Sequence, residues 1–375
     1  MALGAQLSGV LNTWKKFALA AFAPTLLNVF WLFGFLWIWF NDIESQRQMT
    51  TIISWCIFAA GWAQMIVLFM GVKRKGINIR LTLPKLTPKM KQLFFLMVPG
   101  IGAASVQQIN LLVGRQIAST NDSSISYLYN ADRLNQFPLG MIGIALGISL
   151  LPTISRLVAS KDWEGASKSL EDGIKIGLLL TIPAAIALAV IPFELMNSTF
   201  GYGKVTDVDV REAAKVLAGF AIGLPAYVLI KVLQTGFFAR KDTKRPMKYG
   251  IIMVIVNLVF SFMLFPVYKH VGLAIATSIA GWVNVVLLLM GLRGFFSIKK
   301  SLVNKLFRMT IASLLMSGVV FVAAKLCNSW IIGEFYQRLV ALTIIVGLGL
   351  CTYALAALVV KATSISELKG YMRRS

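Results

Sequence analysis

The stretch YGIIMVIVNLVFSFMLFPVYKHVGLAIATSIAGWVNVVLLLMGL, residues 249–292, contains two long apolar runs set almost end to end. Neither 249–267 nor 271–292 holds an Asp, Glu, Lys or Arg, and only Tyr268, Lys269 and His270 part them. Each run matches the ~20 residues that carry an α-helix across the hydrocarbon core of a bilayer. Working outward, comparable runs recur at 23–40, 51–72, 92–118, 125–153, 173–195, 213–237, 309–326 and 338–360. One soluble core cannot hide ten such runs. In lipid, every backbone polar group must be satisfied internally, which leaves helices as the form these runs take. The sequence therefore predicts an all-α polytopic membrane protein of about ten transmembrane helices.

Composition agrees. Hydrophobic residues make up 57% and charged residues 14% of the 375, and the mean hydropathy is +0.75. An ordinary soluble domain carries about 25% charged residues. Before the first full span, an apolar stretch of about 14 residues ends at Lys15 and Lys16. It is too short to cross, has no basic region before it, and reads as the second half of a helix rather than a signal peptide.

The net charge of +22 raises nucleic acid as a partner. Its distribution points elsewhere. The connections 15–16, 73–91, 154–175, 239–248, 293–308 and the tail from 361 hold 27 Lys and Arg. The alternate connections hold four: Arg47, Lys204, Arg211 and Lys269. Basic residues concentrate on the cytoplasmic side of membrane proteins. The alternation therefore predicts a cytoplasmic C-terminus and contact with anionic membrane lipids, and no nucleic-acid binding.

Three cysteines (Cys56, Cys327, Cys351) and the single His270 offer no CxxC or HExxH spacing. Asp132 is the one acid well inside a span. Acid–base, metal or nucleophilic catalysis has little to work with, so no enzyme, metal or cofactor is expected. In 159–172 (ASKDWEGASKSLED), Trp163, Ala166 and Leu170 recur at helical spacing. This segment reads either as an interfacial helix or as a short solvated linker helix. Pro99, Pro138, Pro183 and Pro225 fall inside spans, where a proline frees a carbonyl that a neighbour or water must satisfy.

Charge inside a span is costly and marks candidate function. Arg133, in SISYLYNADRLNQFPLG (124–140), lies about eight residues into its span, roughly 12 Å deep. Ser126, Asn130, Asp132 and Gln136 make the same half-helix polar, and Gly143 and Gly147 form a small-xxx-small pair for close packing. Arg133 reads as an anchor for an anionic substrate group, since a guanidinium grips phosphate bidentately; the alternative is an internal ion pair. Arg115, nearer the end of the preceding span, reads as snorkelling or as a second contact. Gln107, Gln108 and Asn110 give that helix a polar stripe that favours a cavity shared with the Arg133 helix. Lys215 and Lys231 are expected to snorkel.

Three segments carry a family resemblance: GVLNTWKKFALAAFAPTLLN (9–28), YNADRLNQFPLGMIGIALGISLLPTISRLVAS (129–160) and GFFARKDTKRPMKYG (236–250). Together they resemble the MurJ (MviN) lipid II flippases, in collinear order along nearly the whole chain. These belong to the MOP superfamily, the wider group with drug/cation antiporters and polysaccharide flippases. The resemblance implies two lobes of six helices around a central cavity, followed by two extra helices. It makes 1–91 the remainder of an N-terminal lobe, 92–300 a C-terminal lobe and 301–375 the extra pair. The family's first three helices have no counterpart here. It further implies a bacterial cytoplasmic (inner) membrane location and lipid II as the cargo flipped for peptidoglycan biosynthesis, with cell-wall synthesis and division proteins as partners. Arg133 matches the arginine of the family's A-D-R motif, with Asp132 and Ser126 at matching polar positions; the substrate set expected is Arg133, Asp132, Ser126, Arg115 and Gln108. Two alternatives stand beside it: a flippase for another polyprenyl-linked glycan or an exporter of the same superfamily, and a non-transporting membrane remnant or scaffold.

Overall fold

The computed structural model describes residues 2–13, 19, 22–74, 88, 90, 114, 116–118, 123–296 and 300–363. Most of these residues are helical, and no strand occurs among them. They divide into two compact units, 1–90 and 91–375. In the first, α1 (Ala2–Thr13) and α2 (Thr25–Phe40) each pack on α3 (Gln46–Lys73), with Leu11, Ala23, Leu68 and Val72 at the contact.

The second unit runs α4 (Ser124–Ala159), α5 (Trp163–Val190), the short α6 (Pro192–Phe200), α7 (Asp207–Ala221) and α8 (Leu224–Phe238). It continues with α9 (Lys244–Gly291), α10 (Lys300–Leu326), the short α11 (Asn328–Ile332) and α12 (Phe335–Val359). Seven of these helices or helix pairs across the two units are long and apolar enough to span a membrane. The expected span at 92–118 lies outside the described residues but for 114 and 116–118. The other nine fall on helices, two of them inside α9, which breaks at Lys269 (φ 49°, ψ −132°). The tandem run at 249–292 is thus a helical hairpin with almost no connecting loop.

Helix ends follow capping chemistry rather than hydropathy. Asp162 accepts a hydrogen bond from the Gly165 amide at 2.8 Å and starts α5 ten residues before its apolar run. Segment 163–172 is therefore neither an interfacial helix nor a linker. It is the first three turns of α5, with Ala166 and Leu170 buried in the core and the Trp163 ring edge-on to Phe295. Thr206 and Asp209 form a capping box that starts α7.

The α7–α8 segment is the centre of the unit: 78% of its most apolar window is buried, against 11% for α9. It is broken at Gly223, just before Pro225. A Cβ at Gly223 would sit 2.6 Å from the Ser278 Oγ and 2.9 Å from the Ser278 Cα. Only glycine lets α9 come this near, and the contact is used. The Ser278 hydroxyl donates to the Gly219 carbonyl at 2.7 Å, and the Trp282 indole N–H to the Ile222 carbonyl at 3.0 Å. Among the described residues a Cβ at Gly147 would meet nothing within 4 Å, while one at Gly143 would meet Leu139, Lys231 and Val228 at 3.4–3.6 Å. The tight approach in that region falls at Gly173, where Leu150 fills the space.

Pro183 leaves the Leu179 carbonyl of α5 without its helical donor. The Tyr353 hydroxyl of α12 donates to that carbonyl at 2.6 Å. At the far end of α12, Arg338 donates to the carbonyls of Gly201, Asn197 (3.4 Å) and Gly333 (2.8 Å), while the Asn197 amide donates to the Ile331 carbonyl at 2.8 Å. Two polar attachments thus tie the C-terminal helix pair to α5 and α6.

Two stability predictions follow from these contacts. Gly223→Ala should cost about 1–3 kcal/mol by overpacking and lower the unfolding temperature in detergent; an unchanged transition would mean that α9 can move aside. Tyr353→Phe should cost about 1–3 kcal/mol by leaving the Leu179 carbonyl dry. In Pro183→Ala, which restores the helical donor, the same Tyr353→Phe change should cost clearly less; equal costs in the two backgrounds would disprove the pairing.

Candidate functional site

The helix α4 divides sharply by face over its first four turns. Ser124, Ala131 and Asn135 are buried against the unit, with Ala131 in the apolar cluster that includes Leu188, Leu217 and Phe220. Ser126, Tyr129, Arg133, Gln136 and Phe137 are exposed on the opposite face. Their spacing of three and four residues makes one polar and aromatic stripe. From Ser124 to Arg133 is nine residues, about 14 Å along the axis.

Within the stripe, Arg133 donates to the Tyr129 hydroxyl one turn earlier, and its guanidinium carbon lies 4.7 Å from the Tyr129 ring centroid. The guanidinium is thus within cation–π reach of the ring, and the hydrogen bond to the hydroxyl uses one of its five N–H groups. Among the described residues no carboxylate forms an ion pair with Arg133. Asp132, one position earlier, turns aside and accepts a hydrogen bond from Gln136. Of the expected site residues, Arg133, Asp132 and Ser126 share this half-helix; Arg115 and Gln108 lie outside the described residues. Tyr129 was missed in the sequence, although its i, i+4 spacing to Arg133 was the available signal.

Beyond Pro138 the helix widens to a π-helical stretch, Leu139–Ile144, before resuming as Ala145–Ala159. Such insertions arise where the regular hydrogen-bond ladder is interrupted, as it is by the missing Pro138 N–H. Against this stretch lies the stem of Lys231, whose Cγ would be 3.6 Å from a Cβ at Gly143, while the residue itself stays exposed. Lys215 reaches out of the unit and pairs with Glu212 at 2.7 Å.

The start of α4 is fixed from outside itself. Its N-cap, Ser123, is left-handed (φ 67°) and makes no side-chain cap. Instead the Tyr127 hydroxyl donates to Asp209 of α7 at 2.6 Å, and Ser124 Oγ lies 3.3 Å from His270 Nδ1. No group of three or more His, Cys, Asp or Glu fit to hold a metal occurs among the described residues. The site can do one thing chemically: present an anchored, unneutralised guanidinium beside hydroxyl and amide groups.

A profile described as "Lipid II flippase MurJ" matches residues 1–341. A protein of Rhizobium tropici named "Probable lipid II flippase MurJ" is 38% identical over 324 residues, which is 85% of this chain and 60% of that protein. A Vibrio cholerae protein of the same name is 33% identical over 368 residues, or 97% of this chain and 69% of that protein. The chain thus spans about three-fifths to two-thirds of these relatives' lengths. A solved structure titled "Lipid II flippase MurJ, inward closed conformation" superposes with a TM-score of 0.75, covering 95% of this chain and 70% of that one at 23% identity. That likeness carries the fold. With the profile spanning most of the sequence and relatives above 30% identity along it, the chain belongs to the MurJ lipid II flippase family.

Proposed function

We propose that this chain takes part in moving lipid II from the cytoplasmic to the outer leaflet of the bacterial inner membrane, with Arg133 as an anchor for its pyrophosphate. The observation that carries the reading is the state of Arg133 in a member of this family: exposed, about 14 Å along a membrane helix, propped on Tyr129 and free of a carboxylate partner among the described residues. A cation left unneutralised in such a position costs several kcal/mol unless an anion or water meets it. A guanidinium fork matches two phosphate oxygens at once. Ser126 and Gln136 stand on the same stripe to bind polar groups of the cargo, and Arg115 and Gln108 belong to the same proposed set.

In this reading residues 1–91 contribute to one lobe, 92–300 form the other and 301–375 add the C-terminal pair. Access to the site alternates between the two sides of the membrane. The basic connections face the cytoplasm, with the C-terminus, where they meet anionic lipids. Because the chain spans part of its relatives' length, the activity is assigned to the chain together with whatever supplies the remaining helices.

The test is rescue of cells depleted of their own lipid II flippase. The 375-residue chain is expressed alone, and beside the N-terminal helices of the Rhizobium tropici relative. Rescue in either arm supports the function, and failure in both despite stable membrane expression rejects it. In the rescuing arm, Arg133→Ala should lower lipid II transport on the order of 10- to 100-fold, the loss expected for a charge-assisted hydrogen bond pair. Arg133→Lys should recover part of it, since the charge remains and the fork is lost. Full transport by Arg133→Ala would remove the anchor role.

A further inference from the structure

His270, the only histidine in the chain, is 6% exposed and sits where three elements meet. Its Nε2 lies 2.9 Å from Glu212 Oε2 of α7, and its Nδ1 lies 3.3 Å from Ser124 Oγ of α4. The Tyr127 ring stands edge-on to the imidazole at 5.0 Å. We propose that His270 and Glu212 form a proton-sensitive clasp that positions the start of the Arg133 helix.

Three observations support a clasp rather than ordinary packing. First, α4 has no side-chain cap of its own, so its first turn depends on the Ser124–His270 and Tyr127–Asp209 contacts. Arg133 lies nine residues further along the same rigid helix, so a tilt at Ser124 moves the guanidinium. Second, the backbone is strained to aim the imidazole inward: Lys269, a non-glycine residue, holds φ 49° and ψ −132°. Such a conformation persists where its surroundings enforce it. Third, Glu212 divides its oxygens cleanly, Oε1 to Lys215 at 2.7 Å and Oε2 to His270. The carboxylate is thus already oriented for the imidazole.

The remaining charged groups around the clasp leave it responsive to protons. Asp209 is occupied by Tyr127 and Thr206, Lys215 is 61% exposed, Lys269 adjoins His270 in the hairpin turn, and Arg211 lies over the Phe193 ring instead. A neutral imidazole donates its Nε2–H to Glu212 and accepts a hydrogen bond from the Ser124 hydroxyl at Nδ1. When a proton from water binds Nδ1, that nitrogen donates to Ser124 Oγ and the contact to Glu212 becomes an ion pair. Protonation of the imidazole therefore tightens the clasp, and loss of that proton loosens it. The loop charges place this end of the lobe outside, so the clasp reads the pH of the outer face.

The inference rests on the proposed role of Arg133 only for its effect on the cargo, and the experiment separates the two. The full chain is reconstituted in lipid nanodiscs. Because His270 is the sole histidine, its ring resonances report its titration without assignment of any other residue. In a variant with Cys56, Cys327 and Cys351 replaced by Ser, nitroxides on Phe137→Cys and Val208→Cys report the distance from α4 to α7. The expected result is a distance distribution that narrows from pH 8 to pH 5.5 in step with the His270 titration. It should not respond to pH in His270→Gln, which keeps a neutral donor and acceptor, or in Glu212→Gln. Lipid II affinity should rise on the order of fivefold over the same interval, the range of a partly exposed ion pair, and that rise should be absent in His270→Gln. A pH response that survives in His270→Gln, or a His270 titration with no change in the α4–α7 distance, overturns the clasp. If Arg133→Ala binds lipid II normally while the distances still follow His270, the anchor reading fails and the clasp stands.

Discussion

Everything in the second unit answers one constraint: inside a bilayer there is no water to accept or donate a hydrogen bond, so each interruption of a helix must be met by another helix. The structure shows three such repairs. The Leu179 carbonyl opposite Pro183 is met by the Tyr353 hydroxyl, and the Gly219 and Ile222 carbonyls at the Gly223 break by Ser278 and Trp282. The repairs join α5 to α12 and the α7–α8 break to α9. The breaks that let the helices bend are therefore also the points at which the bundle is tied together. Apolar packing fills the space between, but the polar repairs fix which residue faces which.

The spans were legible because lipid imposes a length and a composition that a reader can count. Runs such as 271–292 needed no partner to be recognised. Helix ends were less legible. The apolar run of α5 begins near residue 173, yet the helix begins at Trp163 because Asp162 caps it and because Ala166 and Leu170 find a core that hydropathy cannot see. The amphipathic spacing of 163–172 was real, and its apolar side met α8 and its neighbours rather than a lipid surface. Pro183 announces a freed carbonyl at Leu179, but its donor, Tyr353, lies 174 residues away in sequence, and nothing local to either residue names the other. The close approaches at Gly173 and Gly223 are equally silent in the sequence, because the geometry of crossing helices sets them.

At the candidate site the cost of a charge inside a membrane span makes Arg133 stand out in the sequence. What the sequence could not supply was direction. Arg133 and Asp132 are adjacent and of opposite sign, and an ion pair between neighbouring helices was an open reading. On the helix they diverge by about 100°, so Arg133 leans on Tyr129 and Asp132 takes Gln136. His270 drew notice only as a residue too solitary for metal chemistry. Its partners come from residues 124 and 212, and only the folded chain brings them to the hairpin turn.

The two attachments of α12 have a mechanical meaning. A rod pinned at a single point can swivel, whereas one pinned at two separated points cannot. Arg338 and Tyr353 are fifteen residues apart, about 22 Å along the axis, and both fasten to elements that precede α7. The C-terminal pair is therefore locked in register with α5 and α6 and must travel with them as a keel travels with its hull.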